Sequence, residues 1–267
     1  MDRSWESNQL RLLSFNIRYS ESRDGRNVWE NRSPLVAEIV QMCRPDVVGF
    51  QEVLIDQLRD LGGMLPDYHW LGVGREDGDQ RGEFAPLLFH HLKVNETGNF
   101  WLSDTPEIPS NTWGGQHRIC TWARFGGPQP FAVFNTHLES DVAEARARSV
   151  PLLSNKVREL AGDFPVFLIG DFNFKPNSQE YKQLSREFRD SINEKRGSGN
   201  AYVTSHSFSG RRRNLLWRWK GEGRIDYIWM RGQLRVLQAC ILYDQPGEDA
   251  RLYPSDHWPI FCDVAFV

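Results

Sequence analysis

An apolar run ends in two polar side chains at residues 166–174, which read VFLIGDFNF. Asp171 and Asn173 stand two positions apart, and side chains at positions i and i+2 of a strand share a face. Phe172 should then pack the opposite way. A carboxylate can take a proton from water, and an amide can donate a hydrogen bond without adding negative charge. The pair therefore suits hydrolysis of an anionic ester such as a phosphoester.

The same arrangement recurs at the ends of other apolar runs. Asn16 ends LRLLSFN, Glu52 ends DVVGFQE, His137 ends FAVFNTH, and Asp256 with His257 opens SDHWPIF. Asn and Asp are common in turns, so one such end is weak evidence. Repetition along the chain predicts one site built on strand ends, where a rigid sheet positions reactive groups.

Oxygen ligands in this set predict a metal ion. Glu52, Asn16 and Asp256 suit a hard cation such as Mg²⁺, which takes few protein carboxylates and keeps several waters. Zinc fits this oxygen set less well.

The two histidines of the set suit general acid or electrophilic roles once an acid orients each ring. The nearest acids by motif are Asp226, in RIDYIW, for His257, and Glu83, in RGEFAP, for His137. These two pairings are predictions about the folded chain.

The sequence predicts many strands and few helices around these residues. Apolar runs predict strands at 10–15, 47–50, 68–73, 85–89, 119–125, 131–134, 166–169, 225–230, 234–242 and 258–264. Helical patterns lie at 33–43, 55–65, 141–162 and 178–187. Ser33 should cap the first helix with Pro34 at its first helical position, and Pro151 should kink or divide the third.

Composition bounds the architecture and the setting. With 40% hydrophobic residues, no long apolar run and no linker tract, we expect one domain over residues 1–267, with its core at about 10–266. We predict an α+β fold of two packed mixed sheets flanked by helices. No apolar stretch suggests a membrane span or an export signal, so the expected location is cytoplasmic. Four separated cysteines, without a CxxC pair, are read as buried thiols: Cys43, Cys120, Cys240 and Cys262.

The least regular stretch is 193–224, rich in Gly, Ser and Arg. We expect a long loop on the substrate side with one short strand near 203–208. Its segment 211–220 mixes cations with Trp217 and Trp219, as a nucleic-acid or phosphosugar contact would. A solvated loop whose tryptophans pack on the sheet explains the spacing equally well. A net charge of −3 argues against a broad basic surface that grips nucleic acid.

Seven motifs in order carry a resemblance: SFNIR, GFQEV, GEFAP, NTHLES, GDFN, RIDYIW and SDHWP. They resemble the endonuclease/exonuclease/phosphatase (DNase I-like) superfamily, which includes DNase I, exonuclease III type nucleases, deadenylases, neutral sphingomyelinases and inositol polyphosphate 5-phosphatases. The resemblance implies a four-layered α/β/β/α sandwich. It also implies Mg²⁺-dependent cleavage of a phosphoester by direct attack of water, with Mn²⁺ as a substitute. VWENR, at 28–32, is similar to compact bacterial hydrolases of this superfamily.

The resemblance also implies roles for the motif residues. Glu52 would be the main metal ligand, with Asn16 and Asp256 close to the metal or phosphate. Asp171 would activate the water and Asn173 would bind phosphate. The two histidine–acid pairs would stabilise charge in the transition state: His257 with Asp226, and His137 with Glu83. Arg118, in HRICTWARF, would contact phosphate, and the remaining substrate-contact candidates are His117, His206, Trp217 and Trp219.

The predicted function is a phosphodiesterase acting on a small or flexible phosphoester. The alternative is a DNA or RNA nuclease. A third reading, a non-catalytic phosphoester-binding relative, would most simply have lost Glu52, Asp171 or His257, and all three are present. The expected partner is the phosphoester substrate, small molecule or nucleic acid, and no obligate protein partner is predicted.

Overall fold

The fold is built on two β-sheets. The computed structural model describes residues 8–196, 203–210, 224–243, 249 and 251–267. The first sheet contains β1 (Gln9–Asn16), β2 (Val47–Gln51), β3 (His69–Leu71), β4 (Leu87–Phe89), β11 (Leu234–Ile241) and β12 (Ile260–Phe266), in the order β11-β12-β1-β2-β4-β3. The second contains β5 (Val94–Trp101), β6 (Ile119–Phe125), β7 (Phe131–His137), β8 (Val166–Asp171), β9 (Arg189–Asp190) and β10 (Asp226–Arg231), in the order β5-β6-β7-β8-β10-β9.

Each sheet has one parallel pair near its centre, and these pairs bring the functional ends together. Strands β1 and β2 run parallel, as do β7 and β8, so the carboxyl ends of each pair lie at one edge. Strand β10 is antiparallel to β8 with Asp226 opposite Asp171, so its first residue meets the last residue of β8. The strand register therefore places polar residues from distant parts of the chain close together.

The sheets pack face to face over a common core. Leu12 and Val47 of the first sheet share a buried cluster with Val133, Phe167 and Ile228 of the second. The outer faces are covered by helices, which are α1 (Trp29–Cys43) and α2 (Ile55–Met64) on the first sheet and α3 (Ala143–Ala161) and α4 (Gln179–Leu184) on the second. A further helix, α5, spans Ser191–Arg196. The α+β prediction of two packed mixed sheets flanked by helices is confirmed.

A buried polar contact crosses the core between the sheets. The Gln51 amide donates to Asn135 Oδ1 at 2.7 Å, and Asn135 Nδ2 donates to the carbonyls of Phe50 and Pro86 at 2.7 and 2.8 Å. A hydrogen bond is costly to leave unmade in an apolar interior, so this contact selects one alignment of the two sheets.

One helix start predicted from local signals was wrong, and the predicted division of another helix is absent. Helix α1 begins at Trp29, four residues before Ser33, and encloses Pro34. Trp29 is buried and its indole donates to Asp60 of α2 at 2.8 Å, so tertiary packing extends the helix past the local signal. Helix α3 runs through Pro151 without division. Proline removes one hydrogen bond of the helix, while packing of buried side chains on both sides of it holds the two halves.

Two strands escaped prediction, and one predicted strand is only a bridge. Strand β5 lies at a sheet edge with a largely exposed, polar first half, so it lacks an apolar run. Strand β9 has two residues, too few to show a period. Of the strand expected at 203–208, the structure contains one bridge, Ser205 opposite His257.

The cysteines are free thiols, with Cys120 and Cys262 buried and Cys43 and Cys240 half-buried. In the part of the chain that the structure describes, no helix combines the length and apolar character needed to cross a membrane. The cytoplasmic location stays a prediction.

Candidate active site

The polar strand ends lie at one edge of the sandwich. Asn16 and Asp171 are the last residues of β1 and β8, and His137 is the last residue of β7. Residue His137 lies opposite Asp171 in the parallel ladder. The close approach of these strands requires Gly170, where a Cβ atom would lie 2.0 Å from the Thr136 carbonyl oxygen. The glycine of GDFN is therefore part of the geometry that brings these polar strand ends together.

Asn16 joins the two sheets at this edge. Its Nδ2 donates to Glu52 Oε1 and to Asp171 Oδ2, both at 3.0 Å, while its Oδ1 accepts from the Arg18 backbone at 3.0 Å. The side chain is fully buried, and its bond to Asp171 forms away from water. One amide thus holds the candidate metal-binding carboxylate beside the candidate base.

Glu52 has a free oxygen suited to a cation. Its Oε2 atom is buried and, among the described residues, has no hydrogen-bond partner. The nearest cation is Arg18 Nη1, at 3.9 Å, which is longer than a hydrogen bond. Glu52 itself adopts φ of +60°, which is uncommon outside glycine and costs free energy. A buried, unpaired carboxylate oxygen on a strained backbone fits a divalent metal ligand.

A second group of ligand-type atoms lies next to it. One atom each of Asp171, Asp226 and His257 lies within 4.8 Å of the others. His257 Nδ1 is 3.0 Å from Asp226 Oδ2, so this nitrogen is engaged by the acid. The group therefore contains a hydrogen-bonded histidine–acid pair beside a carboxylate, and the unpaired Oε2 atom of Glu52 is better suited to a hard cation.

The Asp171 side chain is almost completely buried. Burial raises the pKa of its carboxyl, the negative charge of Asp226 adds to this, His257 opposes it, and the pKa is raised to about 7. Oxygen Oδ1 accepts from the Asn173 backbone at 3.0 Å. A carboxyl whose pKa lies near neutrality is matched to proton transfer.

Asn173 reaches the site by a different route from the one predicted. Strand β8 ends at Asp171, and Asn173 has φ of +50°, a left-handed conformation that asparagine tolerates. A turn, and not strand alternation, therefore brings its side chain to the site. Phe172 packs into the outer cluster with Phe174, as the alternation predicted.

His257 makes the predicted contact with Asp226. Burial lowers the pKa of the imidazole, but the attraction and hydrogen bond of Asp226, followed by the charges of Asp171 and Asp256, raise the pKa well above its usual value. The His257 backbone also donates to Ser255 Oγ at 3.2 Å. The acid therefore favours the protonated form of this buried ring.

The predicted contact of His137 with Glu83 is replaced by two others. Glu83 accepts a bidentate pair of bonds from Arg75, at 2.7 and 3.1 Å. His137 Nε2 lies 3.0 Å from Asn173 Nδ2. A guanidinium matches a carboxylate with two parallel bonds, which makes it a stronger partner than a neutral imidazole.

Arg118 lies in a pocket with His137, Arg75 and Glu83. Its Nε donates to Glu139 Oε2 at 3.1 Å, and its buried Nη1 has no hydrogen-bond partner among the described residues. Neither Arg75 nor Glu139 was recognised from the sequence. Glu139 lies in NTHLES two residues after His137, a spacing that could have indicated it, whereas Arg75 lies in a turn with no such signal.

The remaining candidates lie farther from this chemistry or outside the description. His117 is half-buried beside Arg118. His206 is buried and stacked on Trp258 with ring centroids 4.2 Å apart, and its Nδ1 accepts from the Gly210 backbone, so it supports the chain behind Asp256. Trp217, Trp219 and the rest of segment 211–220 lie outside the described residues.

Arg32 was not recognised either, although it lies in VWENR. It is fully buried and donates to backbone carbonyls on both sides of the site, including Arg18 at 2.6 Å and Pro254 at 3.2 Å. Burial lowers the pKa of this guanidinium to about 10, with the charge of Asp256 opposing the shift. It therefore ties the segment after Asn16 to the segment before Asp256.

Known proteins resemble this chain over most of its length. Residues 13–257 match the endonuclease/exonuclease/phosphatase family, and the chain belongs to that family. A family structure from Bacteroides vulgatus is 31% identical, with a TM-score of 0.86, covering 97% of this chain and 99% of that one. The mannosyl-6-phosphatase of Bacteroides thetaiotaomicron is 29% identical, with a TM-score of 0.85 and 96% and 100% covered.

Curated relatives are more distant. Tyrosyl-DNA phosphodiesterase 2 of Mus musculus is 23% identical over 278 residues, covering 98% of this chain and 68% of that protein. Human nocturnin is 28% identical over 295 residues, covering 96% and 65%. The chain thus spans about two thirds of the length of these relatives, and 47% of the Drosophila nocturnin. Phosphoester hydrolysis or nuclease activity is the chemistry that the family supports.

Proposed function

We propose that the protein is a divalent-metal-dependent phosphoesterase, acting as one domain, that cleaves a P–O bond by direct attack of water. The observation that carries this proposal is the Asn16 amide, which holds Glu52 and Asp171 at 3.0 Å on either side. A buried carboxylate oxygen without a hydrogen-bond partner among the described residues thereby lies near a carboxyl with a pKa of about 7, which supports a metal ion beside a base.

Each residue has a distinct role in this proposal. Glu52, with Asn16 and Asp256, would hold Mg²⁺ or Mn²⁺, and the ion would offset phosphate charge. Asp171 takes the proton from the attacking water. His257, protonated and held through Nδ1 by Asp226, would donate to a phosphate oxygen.

The proposed substrate is a small or flexible phosphodiester. The name of the Mus musculus relative specifies a phosphodiester, which supports the diester preference, whereas that of the Bacteroides thetaiotaomicron protein specifies a sugar 6-phosphate. The nuclease alternative depends on whether segment 211–220 forms a basic wall beside the site. The non-catalytic alternative is disfavoured because Glu52, Asp171 and His257 are all present. Asn16 is hydrogen-bonded to both Glu52 and Asp171, and His257 Nδ1 lies 3.8 Å from Asp171.

A substrate panel tests the proposal. Bis-p-nitrophenyl phosphate, p-nitrophenyl phosphate, mannose 6-phosphate and a single-stranded oligonucleotide are compared with Mg²⁺, with Mn²⁺ and with excess chelator. We expect metal-dependent hydrolysis that is fastest for the small diester. Asp171→Ala should lower the rate by about 10²–10⁴-fold with folding retained, whereas the control variant Asp163→Ala, which changes an exposed acid, should leave it unchanged.

Three results would overturn parts of the proposal. Undiminished hydrolysis in chelator would exclude the metal mechanism. Cleavage of the oligonucleotide alone, lost when Arg211, Arg212 and Arg213 are neutralised, would establish the nuclease alternative. Preferential hydrolysis of mannose 6-phosphate would replace the diester preference with a monoester one.

A further inference from the structure

The side chain of Asn173 makes two contacts through a single nitrogen. Its Nδ2 lies 2.9 Å from the carbonyl oxygen of Leu138 and 3.0 Å from Nε2 of His137. A carbonyl oxygen can only accept a hydrogen bond, so the atom of Asn173 that faces Leu138 must be the donor nitrogen. The orientation of the amide is therefore determined by its surroundings.

This orientation determines where the imidazole of His137 carries its proton. An amide nitrogen has two protons and no acceptor capacity. One proton points to Leu138, and the other points to His137 Nε2, which must then accept. In a neutral imidazole one nitrogen accepts and the other donates, so Nδ1 carries the proton.

The alternatives are less favourable. If Nε2 carried a proton, its other neighbour would be Asp171 Oδ2, at 3.6 Å, which is too long for a hydrogen bond, and that oxygen already accepts from Asn16 at 3.0 Å. A charged ring is also disfavoured, because burial, then Arg118 and Arg75, lower the pKa of His137 well below its usual value. The ring therefore stays neutral.

The proton-bearing nitrogen faces away from Asn173. His137 Nδ1 is buried and has no hydrogen-bond partner among the described residues, and the residue lines the same pocket as Arg118. Arg118 Nη1 is likewise buried and without a partner in the described part of the chain. The acid that could have satisfied Nδ1, Glu83, is instead held by two bonds from Arg75. Two donors without acceptors in one pocket suit an anionic oxygen.

We propose that Asn173 is a positioning residue that holds His137 as the neutral Nδ1–H tautomer and so presents its Nδ1–H, with Arg118 Nη1, to a phosphate oxygen. The identity of that ligand rests on the proposed function, whereas the tautomer does not. Nitrogen NMR of the metal-free, ¹⁵N-labelled protein without substrate therefore tests the tautomer independently of any activity.

The spectra have a clear expected result. The imidazole signals of His137, assigned by their loss in His137→Gln, should show an unprotonated Nε2 and a protonated Nδ1, unchanged between pH 6 and pH 8. In Asn173→Asp a carboxylate replaces the donor, so the tautomer should reverse to Nε2–H. Asn155→Ala, an exposed substitution on α3, should leave the signals unchanged.

A protonated Nε2 in the wild-type protein would overturn the proposal, and an unchanged tautomer in Asn173→Asp would overturn the role of Asn173. If that variant does not fold, Asn173→Ala replaces it, and loss of the single fixed tautomer is expected. Titration with inorganic phosphate tests the ligand. We expect the Nδ1 proton signal to move, with affinity reduced about tenfold in Arg118→Met. An unmoved signal at saturating phosphate would refute phosphate as the acceptor.

Discussion

The raised pKa of the buried Asp171 carboxyl predicts that this acid destabilises the metal-free protein at neutral pH. Its carboxyl is 1% exposed, and burial followed by the charge of Asp226 raises its pKa from 3.8 to about 7. An acid whose pKa is raised on folding binds its proton more tightly in the folded state. Its contribution to stability is thus fully present below pH 3.8 and is lost as pH rises through about 7.

Replacing Asp171 with Asn removes this pH dependence. From pH 5 to pH 7 the acid is ionised in the unfolded chain and protonated in the folded one, and each pH unit is worth 1.36 kcal/mol. The stability of Asp171→Asn should therefore rise relative to the wild type by about 2 kcal/mol over this interval and level off by about pH 8. In this variant the side-chain amide at position 171 also faces the Nδ2 donor of Asn16. The poorer hydrogen bond lowers stability by about 1–3 kcal/mol at every pH.

The assay is urea denaturation followed by circular dichroism at pH 5, 6, 7 and 8 in excess chelator. Asp163→Asn, in an exposed turn after α3, is the matched control and should track the wild type at every pH. His257 Nδ1 lies 3.8 Å from Asp171, so the two groups titrate together and the measured change belongs to both. If the difference between Asp171→Asn and wild type changes by less than about 1 kcal/mol from pH 5 to pH 8, the buried-acid argument fails.

Three further substitutions probe the site and its support. Asp226→Asn should fold normally and reduce kcat/KM for a small diester by about 10²–10⁴-fold, because the pKa of His257 falls without the neighbouring acid. A kcat/KM within twofold of the wild-type value would contradict this. Glu52→Gln should weaken Mg²⁺ binding measured by calorimetry, and unchanged affinity would remove Glu52 from the ligand set. Arg224 and Asp190 are both buried and form an ion pair. Arg224→Met should therefore lower the free energy of unfolding by about 3–5 kcal/mol, because it leaves the charge of Asp190 buried without its cation. A loss below 1 kcal/mol, about that of an exposed ion pair, would show that the pair is not structural.

The strand ends could be predicted because their signal is local. The run before Asp171 is apolar at every position of β8 except its glycine, and the structure ends the strand at that acid. The pairing of His257 with Asp226 was also predicted, from motifs, and the structure contains it at 3.0 Å. Where the local signal is absent, as in the half-exposed edge strand β5, prediction failed.

The polar residues that end buried strands can be predicted from the sequence, because alternation and burial act over a few residues. Their hydrogen-bond partners depend on the tertiary structure: Glu83 binds Arg75, and His137 binds Asn173, 36 positions away. A change of about one ångström in the approach of two segments makes or breaks a hydrogen bond, whereas it leaves a strand intact. Partner choice at this site is therefore set by the packing of the whole fold, and residue order does not encode it locally.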